Sequence, residues 1–185
     1  MHRAFLPDAI PRDQIDRIAG TIVRAPSGGF SQGQSIVIVT EPALRAEIGR
    51  RFEDDTGLIA GAPVLMVISA NEEQYHARYN EADKLAATDG VEVTWPVPYW
   101  FVDAGALMML VLLAAIDEGL AGAFIGHPDQ KQIFDDLLGL PPDVVPIGLA
   151  LMGKPAEDPD TERLTAAFKK RRRPREEVVR WERWS

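Results

Sequence analysis

The sequence predicts a single α+β domain in which a mixed central sheet is flanked by helices. A chain of 185 residues with 46% hydrophobic content is large enough to bury one compact core. Strand-like segments are scattered singly among helical patterns, whereas a doubly wound fold shows regular βαβ units. The sequence contains no internal repeat and no low-complexity linker. These observations favour one continuous domain over several.

The elements follow in order from hydrophobic periodicity and from β-branched content. In the first half, the patterns predict a helix over residues 11–24, a strand over 35–40, a charged helix over 42–52, a buried strand over 62–70, a polar helix over 72–87, and a loop or short strand over 89–98. In the second half they predict an apolar helix over 104–116, a strand over 121–125, a helix over 128–138 and a strand over 144–152. The composition then changes, which separates a body over 1–159 from a basic and aromatic C-terminal arm over 160–185.

The apolar helix is the most hydrophobic part of the chain, with thirteen consecutive residues that carry no charge. Asp103 is placed to cap its start, and Gly119 lies just beyond its end. Thirteen residues are too few to span a bilayer. Because a helix that is apolar on all sides must be buried on all sides, we expect it to be covered inside the domain or by another subunit. The helix is therefore a predicted dimer element.

Charge and composition exclude several classes of function. A net charge of −8 and a pI near 4.9 argue against general binding to nucleic acid or to anionic membranes. The absence of cysteine excludes disulfides and thiolate nucleophiles. The histidines His2, His76 and His127 are far apart and show no metal-ligand spacing, so no metal site is predicted. The first twenty residues lack the apolar core of a signal peptide, which predicts a cytoplasmic protein.

The loop between the first helix and the first strand carries the most information. Residues 24–40 read RAPSGGFSQGQSIVIVT, in which a Pro-Ser-Gly-Gly turn precedes an apolar strand. Pro26 fixes its own φ, and Gly28 and Gly29 adopt a positive φ without steric cost. A loop of this kind allows backbone N–H groups to approach an anion or a flat polar ligand.

Residues upstream of this loop extend the pattern, in the order Arg3-Ala4-Phe5, Pro7-Asp8 and Ile10-Pro11. The combination xRxF-xPDxIP, a helix, APS-xxxSQ and an apolar strand resembles the start of the nitroreductase family of FMN-dependent oxidoreductases. The resemblance implies a helix-flanked sheet in an intertwined homodimer, with two FMN sites at the subunit interface. It implies NADH or NADPH as the co-substrate that reduces the flavin.

The resemblance also implies roles for individual residues. It places Arg3 at the pyrimidine edge of the flavin, where a cation stabilises the negative charge of the reduced ring. Taken alone, Arg3 reads as a solvated residue near a chain terminus. The residues that match the family's loop contacts, usually made from the opposite subunit, are Pro26, Ser27 and Gly28, followed by the matching pair Ser31 and Gln32. A plain helix-to-strand turn is the alternative interpretation of this loop.

Residues 118–127, EGLAGAFIGH, resemble a second family segment, whose backbone N–H groups point at flavin N5. Hydride arrives and leaves at N5, so a fixed donor there orients the reacting atom. The resemblance assigns Ile125, Gly126 and His127 to this position. A short strand between two helices uses glycines in the same way, and His127 alone is typical of a polar group at a helix start.

The basic run KKRRRPR over residues 169–175 resembles the family's Lys/Arg-x-Arg-x-Pro element, which grips the FMN phosphate. Lys170, Arg172 and Pro174 match its spacing. A guanidinium presents a planar fork that suits a phosphate. The alternative is a solvated basic turn.

The tail that follows carries Trp181 and Trp184, which we expect to dock on the domain or on a partner subunit, because each exposes a large apolar area.

The chain departs from the family pattern at two places. The family's Arg-(Arg/His)-Ser triplet has no counterpart before His2, and Phe30 stands where Asn is common. Three explanations stay open, which are a misassigned start codon, weakened FMN binding, or a phosphate held elsewhere.

The loop also contains a literal G-x-S-x-G with Ser31 at its centre, which is the motif of a serine hydrolase. That motif needs a strand before the serine and a helix after it, and here the order is reversed.

The leading prediction is a homodimeric FMN-dependent oxidoreductase that passes a hydride from NAD(P)H through flavin N5 to a small-molecule acceptor such as a nitroaromatic or a quinone. No side chain is predicted to act as a catalytic acid or base. The aromatic run over residues 95–101 is a candidate lining for the acceptor. The alternative is a dimer of the same fold that binds flavin poorly or not at all and has no turnover.

Overall fold

The computed structural model describes residues 2–157 and 161–184. Its strands are β1 Gln34–Val39, β2 Val64–Asn71, β3 Ala121–Ile125 and β4 Val144–Gly153. Its helices are α1 Arg12–Ala19, α2 Pro42–Arg51, α3 Leu58–Gly61, α4 Glu73–Tyr79, α5 Ala82–Ala86, α6 Tyr99–Asp117, α7 Gln130–Leu138, α8 Thr161–Arg171 and α9 Arg175–Val178. The α+β class and the four predicted strands are confirmed. The predicted boundary between residues 159 and 160 lies outside the described residues.

The four described strands form one sheet in the order β1-β2-β4-β3, and every neighbouring pair is antiparallel. The prediction of a mixed sheet is therefore wrong for these strands. The reason is the path of α6, which returns the chain to the end of the sheet where β2 began. As a result β3 runs in the same direction as β2, but β4 lies between them and pairs antiparallel with both.

Helices cover both faces of the sheet. Strand β2 is therefore buried on both sides, and its side chains alternate between two cores. Val64, Met66 and Ile68 pack with α1 and α6 on one face. Leu65 and Val67 pack with α2, α3 and α7 on the other face. Each such side chain contributes roughly 1.5–3 kcal/mol when it is fully buried. The fold is thus a helix–sheet–helix sandwich.

Helix α6 differs from its prediction in length and in surroundings. It has 19 residues, so the expectation of a segment too short to cross a bilayer is wrong on length. Within the described residues, α6 is long and apolar enough to cross a membrane. Length and composition alone are weak evidence for a membrane span, because the core helix of a globular domain meets the same criteria. Its inner face, with Leu107, Val111 and Ala115, packs against the sheet. Its outer face is exposed in the single chain, so burial on all sides is not observed here.

Three other local predictions also differ from the structure. The first helix ends at Ala19 and continues as a 3₁₀ turn over Gly20–Arg24. The polar helix splits into α4 and α5, separated by Asn80 and Glu81. The C-terminal arm leaves the side chain of Trp181 82% exposed, so the expected docking of this aromatic tail does not occur within one chain. The positive φ of Gly119, at the end of α6, agrees with its predicted place after the helix.

Candidate functional site

The loop before β1 is folded tightly on itself. Gly29, Phe30 and Gln32 all have φ near +60°, a conformation that non-glycine residues rarely adopt. The hydroxyl oxygen of Ser27 accepts a hydrogen bond from the backbone N–H of Gln32 at 2.6 Å. The side-chain amide of Gln34 donates to the carbonyl oxygen of Pro26, also at 2.6 Å. The loop therefore has a defined shape that its own residues maintain.

Side chains from α4 and α6 anchor this loop to the body of the domain. The backbone N–H of Gly28 donates to Oδ2 of Asp103 at 2.7 Å, and the hydroxyl of Tyr75 donates to the same oxygen. The guanidinium of Arg78 donates through Nε to the carbonyl oxygen of Gly29 at 2.9 Å. Burial, together with the hydrogen bond to Asp103, raises the pKa of Tyr75 well above its usual range. Asp103 therefore lies inside α6 and does not cap it, which corrects the prediction for this residue.

Two glycines allow the loop to lie against α4. A Cβ on Gly29 would come within 2.7 Å of the hydroxyl oxygen of Tyr79. A Cβ on Gly33 would come within 2.5 Å of the carbonyl oxygen of Asn71 and 2.8 Å of the Tyr75 ring. No side chain fits at either position without displacing its neighbours.

The predicted loop residues divide into inward and outward groups. Both polar backbone groups of Gly28 are used internally, since its carbonyl oxygen accepts from the hydroxyl of Ser31 at 2.7 Å. Ser31 is buried by this contact. Ser27, Phe30 and Gln32 instead line a shallow pocket of about 180 Å³. The exposed side chain of Gln32 is thus accessible at this pocket, whereas the hydroxyl of Ser27 is already bonded to the backbone of Gln32.

The hydrolase interpretation finds no support in this arrangement. A nucleophilic serine needs an exposed hydroxyl beside a general base. The hydroxyl of Ser31 is buried and donates to a backbone carbonyl. The ring of His76 is bonded to Glu92, and the ring of His127 accepts from the backbone of Asp129.

Arg3 lies next to the C-terminal arm. The N-terminal segment pairs with the chain just beyond β4 through a bridge between Phe5 and Pro155. The guanidinium of Arg3 lies 5.5 Å from the centre of the Phe168 ring on α8. Lys170 and Arg172 follow on the same arm and are exposed. Arg3 thus contacts the arm that carries the basic run, through Phe168.

Residues Ile125, Gly126 and His127 lie where β3 leaves the sheet toward α7. The backbone N–H of His127 donates to the side chain of Gln130 at 3.2 Å. The His127 ring packs against Phe52, with ring centres 5.2 Å apart. The segment is therefore fixed between the sheet and the start of α7.

One chain does not bring all the predicted residues together. The loop is at the end of the sheet where Gln34 pairs with Ala70 and Ala70 with Val145. Arg3 lies at the other end, where Ala121 pairs with Gly153. The two ends are roughly 25 Å apart at about 3.3 Å per residue along β4. A site that uses both the loop and Arg3 has to draw them from two different chains.

Near the loop lies a cavity that combines part of the predicted aromatic run with His76 and Glu92, which the sequence analysis did not assign to a site. His76, Glu92, Trp95 and Trp100 line a surface cavity of about 320 Å³. Nδ1 of His76 lies 2.5 Å from Oε1 of Glu92, and this hydrogen bond raises the pKa of His76. The cavity contains part of the aromatic run predicted to line the acceptor site, but its contact with an acceptor stays a prediction.

The residues that anchor the loop were also missed, although two sequence signals point to them. Tyr75 and Tyr79 are four residues apart and therefore share one helix face. Asp103 is a carboxylate within helix α6, whose next thirteen residues carry no charge. A buried charge in such a place requires donors from elsewhere in the fold.

Comparison with known proteins agrees with this fold. The profile of the nitroreductase family matches residues 1–154. Nitroreductase A from Vibrio parahaemolyticus has a TM-score of 0.72 at 24% identity, covering 100% of this chain and 72% of that chain. The NADPH:FMN oxidoreductase from Vibrio harveyi, complexed with NAD+, has a TM-score of 0.73 at 24% identity, covering 100% and 74%. The FMN-dependent nitroreductase from Clostridium difficile R20291 has a TM-score of 0.66 at 17% identity, covering 85% and 83%. With more than half of its length matched, the chain belongs to the nitroreductase family.

Proposed function

We propose that the protein is a homodimeric, cytoplasmic, FMN-dependent oxidoreductase that uses NADH or NADPH to reduce a small acceptor such as a nitroaromatic or a quinone. Family membership supports this proposal. Two similar structures are described as an FMN-dependent nitroreductase and an NADPH:FMN oxidoreductase. The observation that carries the proposal is the placement of the loop and Arg3 at opposite ends of one sheet. That placement suits a ligand held between two subunits.

The residues present fit FMN. Arg3 contacts the C-terminal arm, on which Lys170 and Arg172 are exposed, so cations from both ends of the chain are available to bind FMN. Guanidinium groups suit a phosphate, and a cation near the ring stabilises negative charge on it. Gln32, whose exposed side chain lines the pocket, offers a polar contact. When bound, FMN supplies the hydride-transfer chemistry, while these residues bind and orient it.

A second copy of this chain is the partner we propose for the outer face of α6. Met109, Leu113 and Ile116 lie along one stripe of the helix and are about half exposed or more. Phe30 of the loop is exposed as well, and Leu112 and Ala114 remain only partly buried. Contact with the same stripe on a partner removes this apolar surface from water, at roughly 25 cal/mol per Å².

Three measurements on the purified protein test the proposal. We expect a flavin visible spectrum after addition of FMN, one FMN per chain by titration, and oxidation of NADH or NADPH when a quinone is supplied. A colourless protein that takes up no FMN contradicts the proposal and favours the dimer without flavin. A protein that binds FMN but shows no turnover with any acceptor favours the non-catalytic alternative. Esterase activity that disappears in Ser31→Ala would instead support a hydrolase.

A further inference from the structure

Asp103 is a buried carboxylate that bonds to the loop at Gly28 and to Tyr75 of α4. Its side chain is 7% exposed, and one oxygen accepts from both Gly28 and Tyr75. Both donors are neutral, so the burial of this charge carries a desolvation cost that the two hydrogen bonds offset. Helix α6 packs on the core through the apolar side chains of Leu107, Val111 and Ala115. The carboxylate of Asp103, one turn earlier, plays no part in that packing.

The loop, by contrast, needs an anchor. Three of its residues, Gly29, Phe30 and Gln32, hold a left-handed backbone conformation. Such conformations persist only where surrounding contacts determine them. The anchor meets the loop at Gly28, directly beside Ser27, which lines the shallow pocket. Tyr75 reaches the loop a second time, since its ring lies only 2.8 Å from the position of a Cβ on Gly33.

We propose that Asp103 and Tyr75 form a positioning pair that fixes loop 26–33 in the shape that receives the cofactor. This role rests on the proposed function, because FMN is the ligand that the loop is proposed to contact. Neither residue touches the ligand. They act through Gly28 and Gly33, while Ser27 and Gln32 line the pocket beside them.

The first test measures the loop without any flavin. Amide hydrogen exchange of the peptide over residues 25–33 is compared between the unaltered chain, Tyr75→Phe and Asp103→Asn, all free of FMN. Because an amide bonded to a buried carboxylate exchanges only when it opens, we expect exchange at Gly28 to become at least about tenfold faster in both variants. Tyr75→Phe removes a single hydroxyl, so it keeps the test available if Asp103→Asn does not fold.

The second test measures FMN affinity against a control of equal or lower stability. Leu107→Ala lies one turn along the same helix and removes a fully buried side chain without touching the loop contacts. We expect the FMN dissociation constant to rise about tenfold in Tyr75→Phe and Asp103→Asn, as for the loss of one charge-assisted hydrogen bond, and to stay unchanged in Leu107→Ala.

The two measurements separate the possible results. Faster loop exchange with weaker FMN binding in both variants, and neither effect in Leu107→Ala, supports the positioning pair. Unchanged loop exchange overturns it. Faster exchange with unaltered FMN affinity, or equal weakening in Leu107→Ala, overturns the cofactor role and leaves a purely structural contact. An unaltered chain that binds no FMN overturns the proposed function itself, and with it the role of the pair toward a flavin.

Discussion

Gly148 of β4 lies directly against the ring of Phe124 on the neighbouring strand β3. A Cβ on Gly148 would overlap the Phe124 ring and come within 2.7 Å of the carbonyl oxygen of Ile125. Gly148 has a φ of +154°, and the register between β2 and β4 shifts beside it. The missing side chain therefore sets where β3 lies as it approaches Gly126, in the segment predicted to face flavin N5.

Gly148→Ala should destabilise the protein by roughly 2–4 kcal/mol, because it adds overpacking to an unfavourable backbone conformation. Urea unfolding gives the free energy directly. Gly20→Ala is the matched control, since a Cβ there meets nothing within 4 Å and the residue already has φ of −60°. That variant should change stability by less than about 1 kcal/mol. Equal losses in the two variants would refute the packing argument.

Arg172→Ala should weaken FMN binding roughly 10- to 100-fold, as for the loss of a charge-assisted hydrogen bond of about 1.5–3 kcal/mol. Fluorescence titration with FMN measures the dissociation constant. The neighbouring variant Arg173→Ala makes the same change in charge, but Arg173 already pairs with Glu177 at 3.3 Å. Its affinity should stay within a few-fold of the unaltered protein. An Arg172 variant with normal affinity would show that the phosphate is held elsewhere.

Leu113→Glu should disrupt the proposed dimer, because it puts a charge in the middle of the exposed stripe on α6, where Leu113 is 55% exposed. Sedimentation velocity measures the shift toward monomer, and FMN affinity should fall with it if the site is shared. Val91→Glu is the control, since Val91 is also an exposed apolar residue but lies outside α6. A dimer that survives Leu113→Glu unchanged would place the interface on another surface.

The ion pair between His76 and Glu92 should make the segment near the aromatic cavity sensitive to pH. The hydrogen bond to Glu92 raises the pKa of His76. The contribution of protonated His76 to stability is therefore complete below the ordinary pKa of 6.5 and is lost as the pH rises through the raised pKa. The hydrogen bond to His76 lowers the pKa of Glu92. The contribution of ionised Glu92 to stability is therefore complete above pH 4.5 and is lost as the pH falls through the lowered pKa. The pair is therefore strongest between about pH 4.5 and 6.5.

An NMR titration of the His76 ring checks this expectation. Its midpoint should lie above 6.5 in the unaltered protein and should fall in Glu92→Gln. Glu81→Gln is the control, because Glu81 pairs with Arg78 and not with His76. Identical midpoints in the two variants would rule out Glu92 as the main cause.

The strands could be read from the sequence because their signals are local. Residues 64–70 form a nearly continuous apolar run, which is typical of a strand that is buried on both faces. The observed strand β1, Gln34–Val39, lies one residue from its predicted position for the same reason. The turn glycines and the resemblance to the nitroreductase family were also carried by neighbouring residues, and the family is confirmed.

What the sequence could not supply depends on contacts between distant residues. No local pattern states that β4 inserts between β2 and β3, or that Asp103 bonds to Gly28, 75 residues away in the chain. The separation of Arg3 from the loop also depends on which end of the sheet each segment joins. Side-chain periodicity specifies which elements form and which faces are apolar. The pairing of those faces is decided only when the whole chain packs, because many arrangements satisfy the same local pattern and tertiary contacts select one.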